Sequence, residues 1–335
     1  MGLWQVNADT MAGSRFMVSA AAETTSCMFA LQKGRATHPG DRAWLDAHSP
    51  AYQARLAGDP ITALLLRAAE GRNWIADFLT PTPPGDGDPA FLDEIGRVRR
   101  TPPDVVHADL EVCLRRPLPA ALRRDDLADR AADLLEWVWA ETVLPYWPRR
   151  RRILEADIVA RTRHLGQGGW AAALDDMRPG MRWLGDNRLQ INTHDYPPRD
   201  VTDARLMFVP VTPRWGWVSW GSGRRFCVVY PCSGPLAEPE PARPPDALAR
   251  LIGAGRAHVL TLLDTPKSTS HLVALTGQGL GSVGRHLKIL LDAGLIQRRR
   301  SGRSVLYFRT DAGAVLVQSS AGQGALCGAM PRPST

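Results

Sequence analysis

The sequence predicts an α+β fold in two parts. A mainly helical N-terminal domain closes on a small antiparallel sheet, and a smaller C-terminal domain holds short helices and a hairpin. Three observations carry that prediction. Charge is unevenly spread: of 41 Lys or Arg and 34 Asp or Glu, a net +7, residues 241–335 hold 12 basic against 4 acidic and carry +8, while residues 1–240 hold 29 against 30 and carry −1. Tryptophan divides the opposite way, since all 11, from Trp4 to Trp220, precede residue 240. Hydrophobic spacing changes from a helical period to a period of two after Pro179. With 335 residues, 44% hydrophobic and 22% charged, the composition excludes a largely disordered chain, a collagen-like repeat and a disulfide-held miniature scaffold.

Taken in order, residues 1–13 read as a flexible leader and 14–230 as the first domain. A strand or short helical entry followed by a helix is expected over 15–31, then helical periods over 43–66 broken by Gly and Pro. Pro81, Pro83, Pro84 and Pro89, with Gly85 and Gly87, mark a loop, and Pro102 with Pro103 a second. Residues 125–144 form the clearest amphipathic helix, with Leu127, Ala131, Leu134, Leu135 and Val138 at helical spacing. Pro145 ends it, and Pro148 suits the first turn of the next helix, which follows the run Arg149, Arg150, Arg151 and Arg152 and is periodic over 153–165. A short helix is expected over 170–177. Strands are expected at 181–184, 189–192, 206–209 and 226–230, with a hairpin turn at 221–225. Six prolines make 231–245 a linker. The second domain spans 246–317, and a Gly-, Ser- and Pro-rich tail spans 318–335.

Five cysteines, Cys27, Cys113, Cys227, Cys232 and Cys327, are scattered, odd in number and without a C-x-x-C pair. Neither a secretory leader nor an apolar run of the ~20 residues needed to cross a bilayer is found. The expectation is a reduced, cytoplasmic protein with no membrane partner.

The second domain is where the sequence becomes specific. A helix is expected over 246–263, with Leu248, Leu251, Ile252, Gly255, Val259, Leu262 and Leu263 on one stripe. Ser268 or Thr269 caps a short helix through 276, and Gly277-Gln278-Gly279 makes a turn. A second helix covers 281–293 and stops at Gly294. Two short helices joined by a Gly-containing turn are a helix-turn-helix arrangement. On the second, Val283, Leu287, Leu290 and Leu291 form a core stripe, and Arg285, Lys288 and Asp292 fall opposite, with Ser282 beside them. The N-terminal part of such a helix suits the major groove of double-stranded DNA. There Arg285 can donate to guanine, and Lys288 suits phosphate. Gly284 costs the helix about 1 kcal/mol relative to Ala but lets a backbone come close. Two extended runs then flank Ser301-Gly302, a hairpin signature, whose tip carries Arg299, Arg300 and Arg303. A basic hairpin after a reading helix is a wing, suited to phosphates or a narrow minor groove. Residues 311–317 read as a short closing helix.

These residues resemble a known family. Val283-Gly284-Arg285-His286-Leu287-Lys288-Ile289-Leu290, followed by Ala293-Gly294-Leu295-Ile296, is similar to the V-S-x-H-L-x-x-L…A-G-L-V core of ArsR-type winged-helix regulators. Arg300-Ser301-Gly302-Arg303-Ser304-Val305-Leu306-Tyr307 is similar to that family's R-x-G-R-x-V-x-Y wing. The resemblance covers about residues 246–317, and Gly284 departs from it, standing where the family usually has Ser. It implies a homodimeric, sequence-specific DNA-binding transcription regulator, often a repressor, reading an inverted-repeat operator. Thr269, Ser282, Gly284, Arg285, His286, Lys288, Arg299, Arg300 and Arg303 are the expected DNA contacts. His286 takes the family's His position, where a phosphate contact or a packing hydrogen bond is expected. The N-terminal part resembles, in the order of its pieces, the long domain that precedes the winged helix in many actinobacterial ArsR-like proteins.

The family's metal sensors carry Cys-x-Cys in the helix-turn-helix or paired His and Asp ligands in the closing helix. Here 272–276 has no Cys and 311–317 has the single carboxylate Asp311, so neither metal nor cofactor is expected. Cys227 and Cys232, with Pro231 between them, read as ordinary buried cysteines, and His258 and His271 as structural. Gly277-Gln278-Gly279-Leu280-Gly281 lacks the Lys-Ser/Thr of a phosphate loop. The Arg149–Arg152 run reads as a solvated helix face paired with Glu155 and Asp157. Asp125-Asp126 and Asp175-Asp176 read as caps or surface charge. Trp137, Trp139, Trp183, Trp215 and Trp217 are candidates to line a pocket for a small-molecule effector, the alternative being core or dimer-interface packing. Two other readings stay open: an enzyme with an appended regulatory winged helix, and a winged helix that binds protein.

Overall fold

The computed structural model of the chain describes residues 2–35, 39–85, 87, 89–174, 177–194, 196–221, 224–232, 244–263, 266–301 and 304–322. The chain mixes helix and sheet and divides into two compact units, Met1–Leu236 and Ala237–Thr335.

In the first unit the helices are α1 (Ala8–Ala12), α2 (Ala20–Lys33), α3 (Pro39–Gly58), α4 (Pro60–Ala69), α5 (Phe91–Arg99), α6 (Pro103–Leu114), α7 (Leu127–Val138) and α8 (Trp147–Leu174). The strands are β1 (Leu3–Gln5), β2 (Arg15–Phe16), β3 (Arg182–Gly185), β4 (Arg188–Gln190), β5 (Arg199–Asp200), β6 (Arg205–Val211), β7 (Val218–Gly221) and β8 (Arg225–Pro231). At the centre lies α2. The Ser19 side chain caps it by accepting from Ala22 N, Gly34 closes it in the left-handed region, and every residue from Ala20 to Leu31 is buried. A helix buried on all sides has no amphipathic stripe, so its sequence signal is weak. By contrast α7 carries a stripe of Leu127, Ala131, Leu134, Leu135 and Val138, and packs on α2 and α5.

Glu23, in the first turn of α2, is completely buried, as is Arg150 in the first turn of α8. Arg150 Nη1 donates to Glu23 Oε1 at 2.6 Å and also to Thr212 Oγ1. Thr212 donates its backbone N–H to Glu23 Oε2 at 2.8 Å and its hydroxyl to Oε1. The Arg150 guanidinium stacks 4.9 Å from the Trp44 ring centroid. Farther along α8, Asp157 accepts from Tyr230 Oη at 2.9 Å and faces Arg161 at 3.5 Å, which ties the helix to β8.

Several expectations are corrected. Residues 2–13 of the expected leader are part of the fold: β1 pairs antiparallel with β4 and parallel with β5, and Trp4 is buried edge-to-face against Phe226. Instead of one small antiparallel sheet there are two four-stranded mixed sheets, ordered β3-β4-β1-β5 and β2-β6-β8-β7. In the second, β6 runs parallel to both β2 and β8. Strands of two or three residues have no period to read, and their pairing comes from distant segments. Pro145 does not stop α7, because the chain continues through a π-turn, Trp139–Val143, and a 3₁₀ turn, Leu144–Tyr146, straight into α8. The helix expected at 170–177 is the end of α8, which kinks at Gly169 (φ 65°). Arg150 is not on a solvated face, although Arg151 does pair with Glu155 at 2.8 Å. Pro231, counted with the linker, ends β8. Residues 233–243, Asp175-Asp176, Ser222-Gly223 and Cys327 lie outside the described residues.

The second unit holds α9 (Asp246–Ile252), α10 (Ala254–Leu262), β9 (Lys267–Ser268), α11 (Thr269–Thr276), α12 (Leu280–Asp292), β10 (Ile296–Ser301), β11 (Ser304–Arg309) and α13 (Asp311–Gly322). The helix expected over 246–263 is two helices, broken at Gly253, whose φ of 85° and ψ of 142° suit glycine alone. The closing helix runs past 317 to Gly322, so the tail starts later than expected, and 323–335 lie outside the described residues.

Removing one partner of a buried ion pair leaves the other charge stranded. Arg150→Met is expected to lower the stability of the first unit by about 3–5 kcal/mol, and Glu23→Leu/Arg150→Met to recover a large part of it. Denaturant titration followed by tryptophan emission checks this, because all 11 tryptophans lie in the first unit.

Candidate nucleic-acid interface

The second unit is built on Val259, Leu260, Leu263, Leu272, Val283, Leu287, Leu290 and Ile296, all buried. Three of these lie on α12, where the stripe Val283, Leu287 and Leu290 faces inward. The opposite side of α12 is open: Gly281, Gly284, Arg285, Lys288, Ile289 and Asp292 are exposed. Ser268 caps α11 by accepting from His271 N at 3.2 Å, and Gly277 (φ 66°) closes it in the left-handed region, which turns the chain toward α12. A Cβ at Gly284 would meet nothing within 4 Å, so packing within the unit does not require glycine there.

Of the expected contact residues, Arg285, Lys288 and Gly284 share the open side of α12, with Ser282 and His286 half-buried at its edge. Ser282 Oγ donates to Gln278 Oε1 at 3.1 Å and lies 3.4 Å from His286 Nε2. The His286 ring is wedged against α10, where a Cβ at Gly255 would stand 2.6 Å from Nε2. Its pKa is held below 6.5, first by burial and then by the Arg256 and Arg285 charges. Thr269 begins α11 and is half-buried.

The hairpin of β10 and β11 is antiparallel, with Arg299 opposite Leu306 and Arg300 opposite Val305, and β9 adds a third strand beside β11. Arg299 is exposed, and Arg303 lies outside the described residues. Arg298, absent from the expected set, is exposed in the same run. Its signal was present, because alternate residues of a strand point to opposite faces and a three-arginine run necessarily supplies both. Arg309 Nη2 donates to Thr261 O at 2.8 Å and so fastens the hairpin to α10.

The tryptophans named for an effector pocket are spread over three core clusters. Trp137, Trp139 and Trp215 pack on the core around α2 and α7, Trp183 packs on the core of β1, β4 and β8, and Trp217 belongs to a third cluster with Met207 and Val229. Trp139 stacks on Phe91 at 4.6 Å, and Trp137 carries the Arg55 guanidinium at 5.3 Å. The cavity beside Trp217 has about 10 Å³, room for about one water. A polar groove of about 570 Å³, lined by Arg55, Asp59, Thr62, Asp126, Arg130 and Asp133, has no tryptophan in its lining. Cys27, Cys113, Cys227 and Cys232 are buried thiols, and burial pushes Cys113 up to about 12. Among the described residues no group of three His, Cys, Asp or Glu is placed to hold a metal ion.

A different constellation in the first unit was not anticipated. The Trp74 ring meets Trp220 edge-on at 5.5 Å and Tyr196 at 5.7 Å, and the Arg199 guanidinium lies 3.8 Å over Trp220. Beside them, Asp77 is raised to about 6 by burial and by the neighbouring Asp109, against the pull of Arg199. Four separate segments meet here, and no local spacing announces that. Comparison of the chain with known protein families, curated proteins and solved structures finds no match.

Two outcomes are expected. Gly255→Ala displaces the His286 ring toward water, and its pKa, followed by proton NMR, rises toward 6.5. Asp77 binds its proton more tightly in the folded state, so it contributes stability below 3.8 that is lost as pH rises through about 6. In Asp77→Asn the melting temperature is therefore expected to lose that fall over the same pH range.

Proposed function

We propose that the second unit is a winged helix-turn-helix that binds double-stranded DNA, and that the chain is a homodimeric transcription regulator, a repressor of the ArsR-like type. The observation that carries this is the two-sided α12. It buries Val283, Leu287 and Leu290 while Gly284, Arg285 and Lys288 stand exposed, on a unit whose hairpin exposes Arg298 and Arg299 and whose sequence carries the whole excess of positive charge. The order helix, helix, strand, helix, helix, hairpin, helix supports the winged arrangement. Arg285 and Ser282 read base edges, Lys288 meets phosphate, and the wing arginines follow the backbone or minor groove. His286 has a packing role against Gly255.

Homodimerisation is supported by an apolar face. Leu251 on α9 and Val315 on α13 are 67% and 59% exposed, and the two helices pack on each other. A second copy that covers this face sets two reading helices on an inverted repeat. The first unit then acts as the dimer-supporting or effector-responsive part, and a ligand that favours one arrangement of the dimer shifts the DNA-binding population. No helix is long and apolar enough to cross a membrane among the described residues.

The test is capture of genomic fragments by the purified full chain, followed by fluorescence anisotropy on the selected sites at several salt concentrations. Affinity is expected to fall steeply with salt as phosphate contacts release counterions. Arg285→Ala is expected to cost about 1–3 kcal/mol and relax the sequence preference, and Lys288→Ala to lower the salt slope by about 1. Salt-independent binding, or no DNA retention with intact protein–protein contacts, overturns the reading.

A further inference from the structure

The first unit pairs its buried arginines with acids. Arg150 meets Glu23, and Arg161 meets Asp157 and donates to Ala173 O at 2.9 Å. Arg178, between α8 and β3, is the exception. Among the described residues its hydrogen bond runs from Nη2 to Gly216 O at a long 3.4 Å, and its buried Nη1 has no hydrogen-bond partner. Burial lowers its pKa to about 10, so it remains charged at neutral pH. Gly216 is pressed onto β8, where a Cβ would stand 2.4 Å from Val229 O. The segment 214–216 is exposed or half-buried, and Arg178 as a whole is half-buried, while its Nη1 is shielded from solvent.

A buried guanidinium without an anion is costly, and the planar fork of arginine matches an oxyanion with two parallel hydrogen bonds. We propose that Arg178 anchors a binding site for a small molecule carrying a carboxylate or a phosphate, with the oxyanion completing the hydrogen bonding of Nη1. The site stands apart from DNA binding and does not rest on that reading. If both hold, the anion is the class of effector that the first unit takes.

The experiment is thermal unfolding of the full chain followed by tryptophan emission, which reports on the first unit because all 11 tryptophans precede residue 240. Sodium benzoate and inorganic phosphate are compared with sodium chloride at equal ionic strength, in the wild type, Arg178→Met and Arg178→Lys. A ligand that binds the folded state raises its melting temperature, so benzoate or phosphate is expected to raise that of the wild type by about 2 °C or more. Benzoate alone assigns a carboxylate, and phosphate alone a phosphate. Without anion, Arg178→Met is expected to melt at or above the wild type, because it removes an uncompensated charge, and to gain nothing from either anion. Arg178→Lys keeps part of the response. Three results overturn the proposal: no anion-specific shift in the wild type, an equal shift in Arg178→Met, or a fall in melting temperature in Arg178→Met. So does a loss of stability in Asp175→Asn/Asp176→Asn that Arg178→Met abolishes, since Arg178 would then have an internal partner.

Discussion

A carboxylate withdrawn from water must be met by a cation and by hydrogen-bond donors, or it will not remain ionised. Glu23 sets that condition for the first unit. Its carboxylate lies on a central helix with every neighbouring residue buried, and it is answered by Arg150 from α8 and by the hydroxyl and backbone of Thr212 just after β6. Arg150 lies 127 residues and Thr212 189 residues from Glu23 in sequence, and the two lie 62 from each other. Satisfying one charge therefore fixes where α8 begins and where β6 ends. From its fixed start, α8 carries Asp157 and Arg161 to Tyr230 on β8, so a second buried polar contact holds the neighbouring strand. On the other side Ser19, the cap of α2, donates to Glu94 on α5 at 2.9 Å. The mixed sheet and the helical layer are thus joined by polar groups that tolerate few alternative positions, and the apolar core fills in around them.

The second unit depends on a simpler constraint, the close approach of two helices. Gly255 on α10 leaves space for the His286 ring of α12, and the ring's own burial keeps it neutral above its lowered pKa. A neutral imidazole at that place lets α12 lie against α10 while Arg285 and Lys288 stay on the outer side. Under the DNA-binding reading, the charge of the chain is concentrated where phosphates are met, and the near-neutral first unit is left to make other contacts. Its tryptophans serve those contacts as core and as cation–π partners rather than as the walls of one pocket.

Much of the second unit was legible because its signals are local. A cap at Ser268, a left-handed Gly277, a helical stripe on α12 and the adjacent paired strands β10 and β11 each involve residues within a few positions of one another. The break at Gly253 was missed because the apolar stripe runs across it with little change of phase. In the first unit α7 was legible for the same reason as α12, whereas α2, buried all round, has no stripe to read. The two- and three-residue strands β1, β2 and β5 are set by parallel and antiparallel partners far along the chain, which no local pattern encodes. The same holds for the burial of Arg150, whose neighbours in sequence are three other arginines.

Sequence by itself determined the division into a neutral Trp-rich part and a basic part, the α+β class, the helix pair with its turn and hairpin, and which side of α12 carries charge. These follow from composition and periodicity, which act over one or two turns of chain. Tertiary structure alone decided the mixed sheets, the incorporation of the first residues, the dispersal of the tryptophans into separate clusters, and the pairing of Glu23 with Arg150 and of Asp157 with Arg161. The physical reason is desolvation. Whether an arginine is solvated, paired or stranded depends on what distant segments bring within about 3 Å of it, and that is a property of the assembled fold.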